Sequence, residues 1–348
     1  MLRVYRLKRF LESMITAKPT ELKVGVVGLG KMGVMHACLL NVLPNVRLSA
    51  LCDKSRFMRT IAKRIFRGRI ATDKLDTLMD LDLDAIYVLT PIPSHYHIVK
   101  EILAKNIAPN LFVEKTLASN YAQSEELYRL SQNCKGAKMV GYMKRFGVTF
   151  NQAKKLLDKQ LLGDLLSFDA YAFSSDFADV PESSSVSKAR GGALEDLGSH
   201  VADLALWFFG DLGVASAKID SKISQDSEDT VGFEVAGSDG LQGRFEVSWS
   251  KSGYRMPEFG LAIRGTKGTL TVNDDEVRLE LNRAEPRKWY RQDLDDNVGF
   301  FLGGSEYFRE NDQFIKSIMS GISPESDFKS AMRVDHLLGQ VRCRAANA

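Results

Sequence analysis

Asp196 and His200 stand four residues apart in the stretch GGALEDLGSHVADLALWFFG, residues 191–210. On a helix that spacing stacks both side chains on one face, about one turn apart. A carboxylate and an imidazole so placed can satisfy each other at a capped helix end. They can equally form a proton-transfer pair at the mouth of a site. Lys115, closing the apolar run LFVEK, is a third candidate. Flanked by apolar residues, it is poorly explained as a surface charge. Partly desolvated beside a cofactor, such a lysine can orient a substrate hydroxyl and help move its proton.

The chain also carries a cofactor signature. Gly28, Leu29, Gly30, Lys31, Met32 and Gly33 spell G-x-G-x-x-G directly between the strand-like LKVGVV and a helical segment. In that context Gly28 allows a tight turn, Gly30 admits a pyrophosphate to the backbone, and Gly33 lets helix and strand pack closely. The phosphates then meet the open N–H groups of the helix start. Asp53 follows Gly33 by twenty residues, at the end of the next strand, where a carboxylate accepts from the adenosine ribose hydroxyls. The next segment carries Lys54, Arg56, Arg59, Lys63, Arg64, Arg67 and Arg69 with no acid among them. Lys54 and Arg56 lie where a 2′-phosphate would sit, so NADP stays open; Asp53 would repel that phosphate and favours NAD. Two further loops leave strand ends, where ligands of open α/β sheets bind: Thr90, Pro91 and His95 in TPIPSH, and Glu114 with Lys115 in VEKTLA. All of these are expected to contact the cofactor. His95 and His97 form an H-x-H without a supporting acid or cysteine cluster, so no metal is expected. His36 reads as packing, and Trp207, Phe208 and Phe209 as core.

These residues need a frame to hold them. From Leu22 to about residue 147, short apolar runs alternate with amphipathic segments, which predicts βαβ crossovers and a doubly wound parallel sheet. From 148 to 348 the pattern changes to a helix, a strand, the Ser-rich loop SSDFADVPESSSVSKARGG, and the Asp196–His200 helix. A run of strand-like pieces follows, separated by the turn signals GSDGLQG and GTKGT. The expected fold is therefore a Rossmann α/β domain, residues 22–147, followed by an α+β domain with a mostly antiparallel sheet. Two C-terminal helices are expected to pack back onto the first domain, and residues 1–21 form a basic N-terminal extension. Alternating apolar residues in LQGRFEVSWS and FGLAIRGT suggest a sheet face covered by another copy, hence a homodimer or homotetramer.

Bulk composition narrows the classes. The 348 residues are 44% hydrophobic and 26% charged with a net charge of +3, which makes no electrostatic case for nucleic acid or an anionic membrane. No apolar run approaches the ~20 residues of a membrane span. Four scattered cysteines suit reduced thiols in a cytoplasmic protein.

Taken together the motifs resemble the glucose–fructose oxidoreductase and inositol dehydrogenase family (Gfo/Idh/MocA), over roughly residues 22–342. The matching pieces are GLGKMG, Thr90-Pro91 with His95, Glu114-Lys115-Thr116, Arg145-Phe146, and Gly191-Gly192 with Asp196 and His200. Thr116 departs from the proline usual after the lysine. The resemblance implies an NAD-dependent dehydrogenase acting on a secondary alcohol of a sugar, sugar derivative, nucleotide sugar or cyclic polyol. It implies His200 as general base, Asp196 bonding a substrate hydroxyl and orienting His200, and Lys115 on the opposite wall. Tyr142, Arg145 and Tyr254 are candidate substrate contacts. An NAD-dependent glycosidase of the same fold and a non-catalytic NAD-binding sensor are the alternatives; the intact Lys115, Asp196 and His200 speak against the sensor.

Overall fold

The computed structural model describes residues 21–175, 191–221, 227–254, 256–294, 296, 298 and 304–347. The N-terminal extension and most of the Ser-rich loop lie outside the described residues. The first unit is a six-stranded parallel sheet in the order β3-β2-β1-β4-β5-β6. Its strands are β1 (Leu22–Val27), β2 (Val46–Cys52), β3 (Ile70–Thr72), β4 (Ala85–Val88), β5 (Asn110–Glu114) and β6 (Lys138–Gly141). Helices α1 (Lys31–Leu40), α2 (Arg56–Ile65), α3 (Ile92–Lys105) and α4 (Tyr121–Ser131) make the crossovers. β4 and β5 are buried at every position, which is why they read as continuous apolar runs. β1 pairs with both β2 and β4, so the chain reverses its winding beside β1 and opens a crevice at the strand ends. The glycine turn sits at that crevice.

The second sheet has eight strands in the order β14-β13-β12-β11-β7-β10-β9-β8. They are β7 (Leu165–Phe173), β8 (Leu212–Asp220), β9 (Thr230–Gly237), β10 (Gln242–Ser248), β11 (Glu258–Gly265), β12 (Gly268–Asn273), β13 (Glu276–Leu281) and β14 (Arg287–Tyr290). Only β7 and β10 pair in parallel. One face packs on helices α5 (Val148–Asp158), α6 (Ser199–Phe209) and α8 (Phe328–Ala346). Phe245, Val247, Leu261 and Ile263 are buried in one core with α6 and α8. The expectation of a second copy covering these residues is corrected here: this chain's own helices cover them. The outward face is charged, with Asp169 bridging Arg244 at 3.1 Å and Arg264 at 2.7 Å.

Helix α7 (Ser305–Ser320) turns back onto the first unit. Phe314 meets the rings of Tyr87 and Phe112 edge-on at 5.5 and 5.7 Å, closing one side of the parallel sheet. No described helix is long and apolar enough to cross a membrane.

Candidate active site

The glycine turn has three distinct environments. Gly28 has a φ of 96°, open to glycine and strained for other residues, and a side chain there would crowd the Leu89 carbonyl. A side chain at Gly33 would overlap the Gly28 carbonyl oxygen, so helix and strand touch through backbone. A Cβ at Gly30 would meet nothing within 4 Å. α1 starts at Gly30 without a side-chain cap, so its positive end opens onto that free space, as an anion site requires. Asp53 is tied to the turn: its carboxylate accepts from the N–H of Leu29 at 2.6 Å and of Ser55 at 2.7 Å. Leu29 is wholly buried and its N–H is taken by Asp53, so it shapes the turn rather than facing a ligand. Lys54 and Arg56 are exposed beside Asp53, whereas Arg59 is bound to the Asp53 and Lys54 carbonyls.

His95 does not line the cofactor crevice as expected. It is fully buried, and its ring nitrogens lie 2.8 Å from the Thr116 carbonyl and 2.6 Å from that of Thr90. It clamps the two loops together. Burial lowers its pKa, and the two carbonyl acceptors oppose that. His97, two positions along the same helix, is exposed, so the H-x-H is not a paired ligand set. Thr90 accepts from the Ser94 hydroxyl at 2.8 Å, and Pro91 begins α3 on the surface. His36 does more than pack: it bridges Glu114 at 3.2 Å and Asn311 at 3.1 Å. Glu114 in turn accepts from the Lys115 N–H at 3.0 Å. The Lys115–Thr116 peptide bond is cis, and the Thr116 hydroxyl donates to the Ala118 carbonyl at 2.9 Å.

Lys115 reaches across to the second unit. Its ammonium donates to the Asp196 carbonyl at 2.7 Å and to the Asp196 carboxylate at 3.1 Å. Asp196 lies in a widened π turn, Leu194–Gly198, which precedes α6. That turn alters the simple α-helical stacking read from the sequence, and such turns are common at functional sites. Gly192 (φ of 99°) leads into it, where a side chain would overlap the Glu228 carboxylate. His200 follows in the first turn of α6, with 5% of its surface exposed and its Nδ1 without a partner among the described residues. Its ring meets Phe259 at 5.3 Å and Tyr142 at 6.3 Å. Burial, and then the positive charges of Lys115 and Lys144, hold its pKa well below the ordinary imidazole value. His200 is therefore neutral at pH 7, with a ring-nitrogen lone pair open to a donor hydroxyl.

The three candidate substrate contacts are corrected. Tyr142 is fully buried beneath His200. Arg145 is 4% exposed and forked onto Asp203, with Nε–Oδ2 at 2.8 Å, and also donates to the Glu325 carbonyl at 2.7 Å. It is a structural ion pair linking α6 to the chain before α8. Tyr254 packs on Phe173 at 5.1 Å, while Met256 and Pro257 after it line the site.

A cleft of about 890 Å³ lies between the two units. Lys31, Met32, Glu114 and Lys115 form one wall, and Asp196, Leu197 and His200 the floor. The opposite wall holds Met143, Lys144, Glu258, Phe259, Asp274 and Asp275, with Arg291 and Glu306 beside them, while Tyr307 packs on His36 on the Glu114 side. This far wall was missed from the sequence. Lys144 alone had a signal, standing next to the noted Arg145-Phe146 pair.

Residues 22–142 match the family model "Oxidoreductase family, NAD-binding Rossmann fold", and residues 150–271 match "GFO/IDH/MocA C-terminal domain". The chain spans about half the length of several curated relatives, among them an uncharacterized oxidoreductase of Schizosaccharomyces pombe. That protein is 26% identical over 211 residues, covering 58% of this chain and 55% of the relative. The match to myo-inositol 2-dehydrogenase of Thermotoga maritima is longer, 23% identical over 322 residues, with 87% and 90% covered. Among solved structures, levoglucosan dehydrogenase in complex with NADH and levoglucosan superimposes with a TM-score of 0.84. Its identity is 22%, with 94% of this chain and 97% of that one covered, so the likeness is one of fold.

Proposed function

The chain belongs to the Gfo/Idh/MocA family of NAD-binding oxidoreductases, and from that premise we propose an NAD-dependent dehydrogenase that oxidises a secondary alcohol. The substrate would be a sugar, sugar derivative, nucleotide sugar or cyclic polyol. The observation that carries this reading is the meeting of Lys115, Asp196 and a neutral, buried His200 at one cleft beside the glycine turn.

The residues fit the cofactor. The open space at Gly30 and the uncapped start of α1 suit a pyrophosphate, and the half-buried Asp53 suits an adenosine ribose. Lys31 and Met32 would flank it, with the Thr90 and Glu114 loops bordering the nicotinamide end. When bound, NAD supplies the hydride acceptor. His200 then takes the hydroxyl proton at a ring nitrogen. The Lys115 ammonium, steered by Asp196, orients that hydroxyl through its one remaining N–H donor. We assign the protein to the cytoplasm; all four of its cysteines are free.

A screen of sugars and cyclitols for NADH formation, followed by single-turnover absorbance on a hit, tests the assignment. His200→Ala should slow the step by roughly 10²–10⁴ with NAD affinity nearly unchanged. Equal rates for wild type and variant would remove His200 from the reaction.

A further inference from the structure

Building on the dehydrogenase reading, we infer that the substrate is an uncharged polyhydroxylated ring, and that sugar acids and phosphate-bearing sugars are disfavoured. The far wall of the cleft carries four carboxylates, Glu258, Asp274, Asp275 and Glu306, against two cations, Lys144 and Arg291. Both cations are already committed. The Lys144 ammonium donates to Asp274 at 2.6 Å, stands 3.7 Å from Glu306, and lies 4.6 Å from the centre of the Phe259 ring. Its own side chain is only 8% exposed. Arg291 is held by Asp296 at 3.0 Å and Glu306 at 3.2 Å.

Lys31 and Lys115, the other cations of the cleft, stand on the cofactor side; at the far wall an incoming carboxylate or phosphate would have to break one of these pairs and then lie among the remaining acids, an arrangement that costs heavily. Hydroxyl groups meet the opposite situation. Each carboxylate keeps acceptor lone pairs beyond its ion pair, and an O–H donated to a carboxylate makes a short, charge-assisted bond. Phe259, Met143 and Leu197 give the C–H face of a ring an apolar surface between those acceptors. Asp275 is exposed at the turn between β12 and β13, where its charge faces whatever enters.

The test titrates the full-length protein, saturated with NAD, against matched pairs by calorimetry. The pairs are glucose and glucuronate, galactose and galacturonate, and myo-inositol and its monophosphate, with NADH absorbance followed in the same mixtures. A neutral ring should bind roughly tenfold to a hundredfold tighter than its charged counterpart, as expected for one like-charge contact in a half-buried site. Asp275→Lys should narrow that gap by roughly tenfold while leaving NAD affinity in place. Equal or tighter binding of the charged member by wild type overturns the inference, as does a panel in which no neutral ring binds. A gap unmoved by Asp275→Lys in a variant that melts like wild type overturns it too. Neutral binding without NADH upholds the substrate class and removes the dehydrogenase reading instead.

Discussion

Replacing Lys144 by methionine should raise the pKa of His200 by about one unit. Both groups face the Phe259 ring, the ammonium at 4.6 Å and the imidazole at 5.3 Å, so the two charges are separated by at most about 10 Å. At an effective dielectric of ~20, a unit charge at that range is worth ~1.7 kcal/mol, or a little over one pKa unit. Solvent screens little of this, because the Lys144 side chain is only 8% exposed. Its loss also frees Asp274 and Glu306, whose negative potential acts in the same direction. The change can be read without turnover by NMR titration of the histidine rings, with His200→Ala assigning the signal among the five histidines. In the activity profile the acid limb should lie below the ordinary imidazole range in wild type and move upward in Lys144→Met. Stability follows the same sign. Below about pH 6.5 the unfolded His200 binds a proton that the folded one refuses, so stability falls as the pH drops from there toward the depressed folded value. Lys144→Met should soften that fall. A wild-type His200 titrating at or above 6.5, or a value unmoved by the substitution, would refute the reasoning.

Three other substitutions probe separate parts of the structure. Gly30→Ala should leave stability within about 0.5 kcal/mol yet weaken NAD binding, whereas Gly33→Ala should cost about 1–3 kcal/mol or more because its methyl overlaps the Gly28 carbonyl; thermal melting with NAD titration separates the two. Asp53→Ser should weaken NAD by roughly one to two decades and improve NADP beside Lys54 and Arg56; a wild type that already prefers NADP would count against Asp53 as the selector. Burial pushes the Asp335 carboxyl up to about 7, despite donors at Ser124 and Ala118. Its cost to the fold is therefore absent below the unfolded value of about 3.9, grows as the pH rises toward 7, and persists above it. Asp335→Asn should raise denaturation midpoints at pH 8 and hardly change them at pH 4; an equal shift at both would show that the charge is not the cause.

What could be read from the sequence follows the range of the interactions. The glycine turn, Asp53 and the order of the first-unit elements are local, since turn chemistry and apolar periodicity act within a few residues. β3 is three residues long, too short for any periodicity to show. His95 was misplaced because its neighbours put it at a strand end, while the sense in which α3 turns its ring inward depends on the Thr116 loop twenty-one residues away. Arg145 looked available until its partner was known. That partner, Asp203, lies three residues after His200 on α6, so an acid facing inward on an apolar helix was the signal to follow. The wall of Lys144, Asp274 and Glu306 brings together three segments more than a hundred or some thirty residues apart, and apart from the place of Lys144 beside Arg145-Phe146 nothing local announces it.

Helix α7 has a consequence for how such proteins can be recombined. The apolar surface around Tyr87 and Phe112 belongs to the cofactor-binding half, yet the cover over it comes from the far end of the chain, through Phe314 and Ile315. A chimera made by one crossover near residue 147 would thus graft a foreign lid onto this sheet, with mismatched side chains at a tightly packed seam. Exchange of cofactor modules between relatives calls for two junctions, with the segment around residues 304–320 travelling alongside the first 147 residues. The half that holds the dinucleotide is continuous in space and broken in the gene.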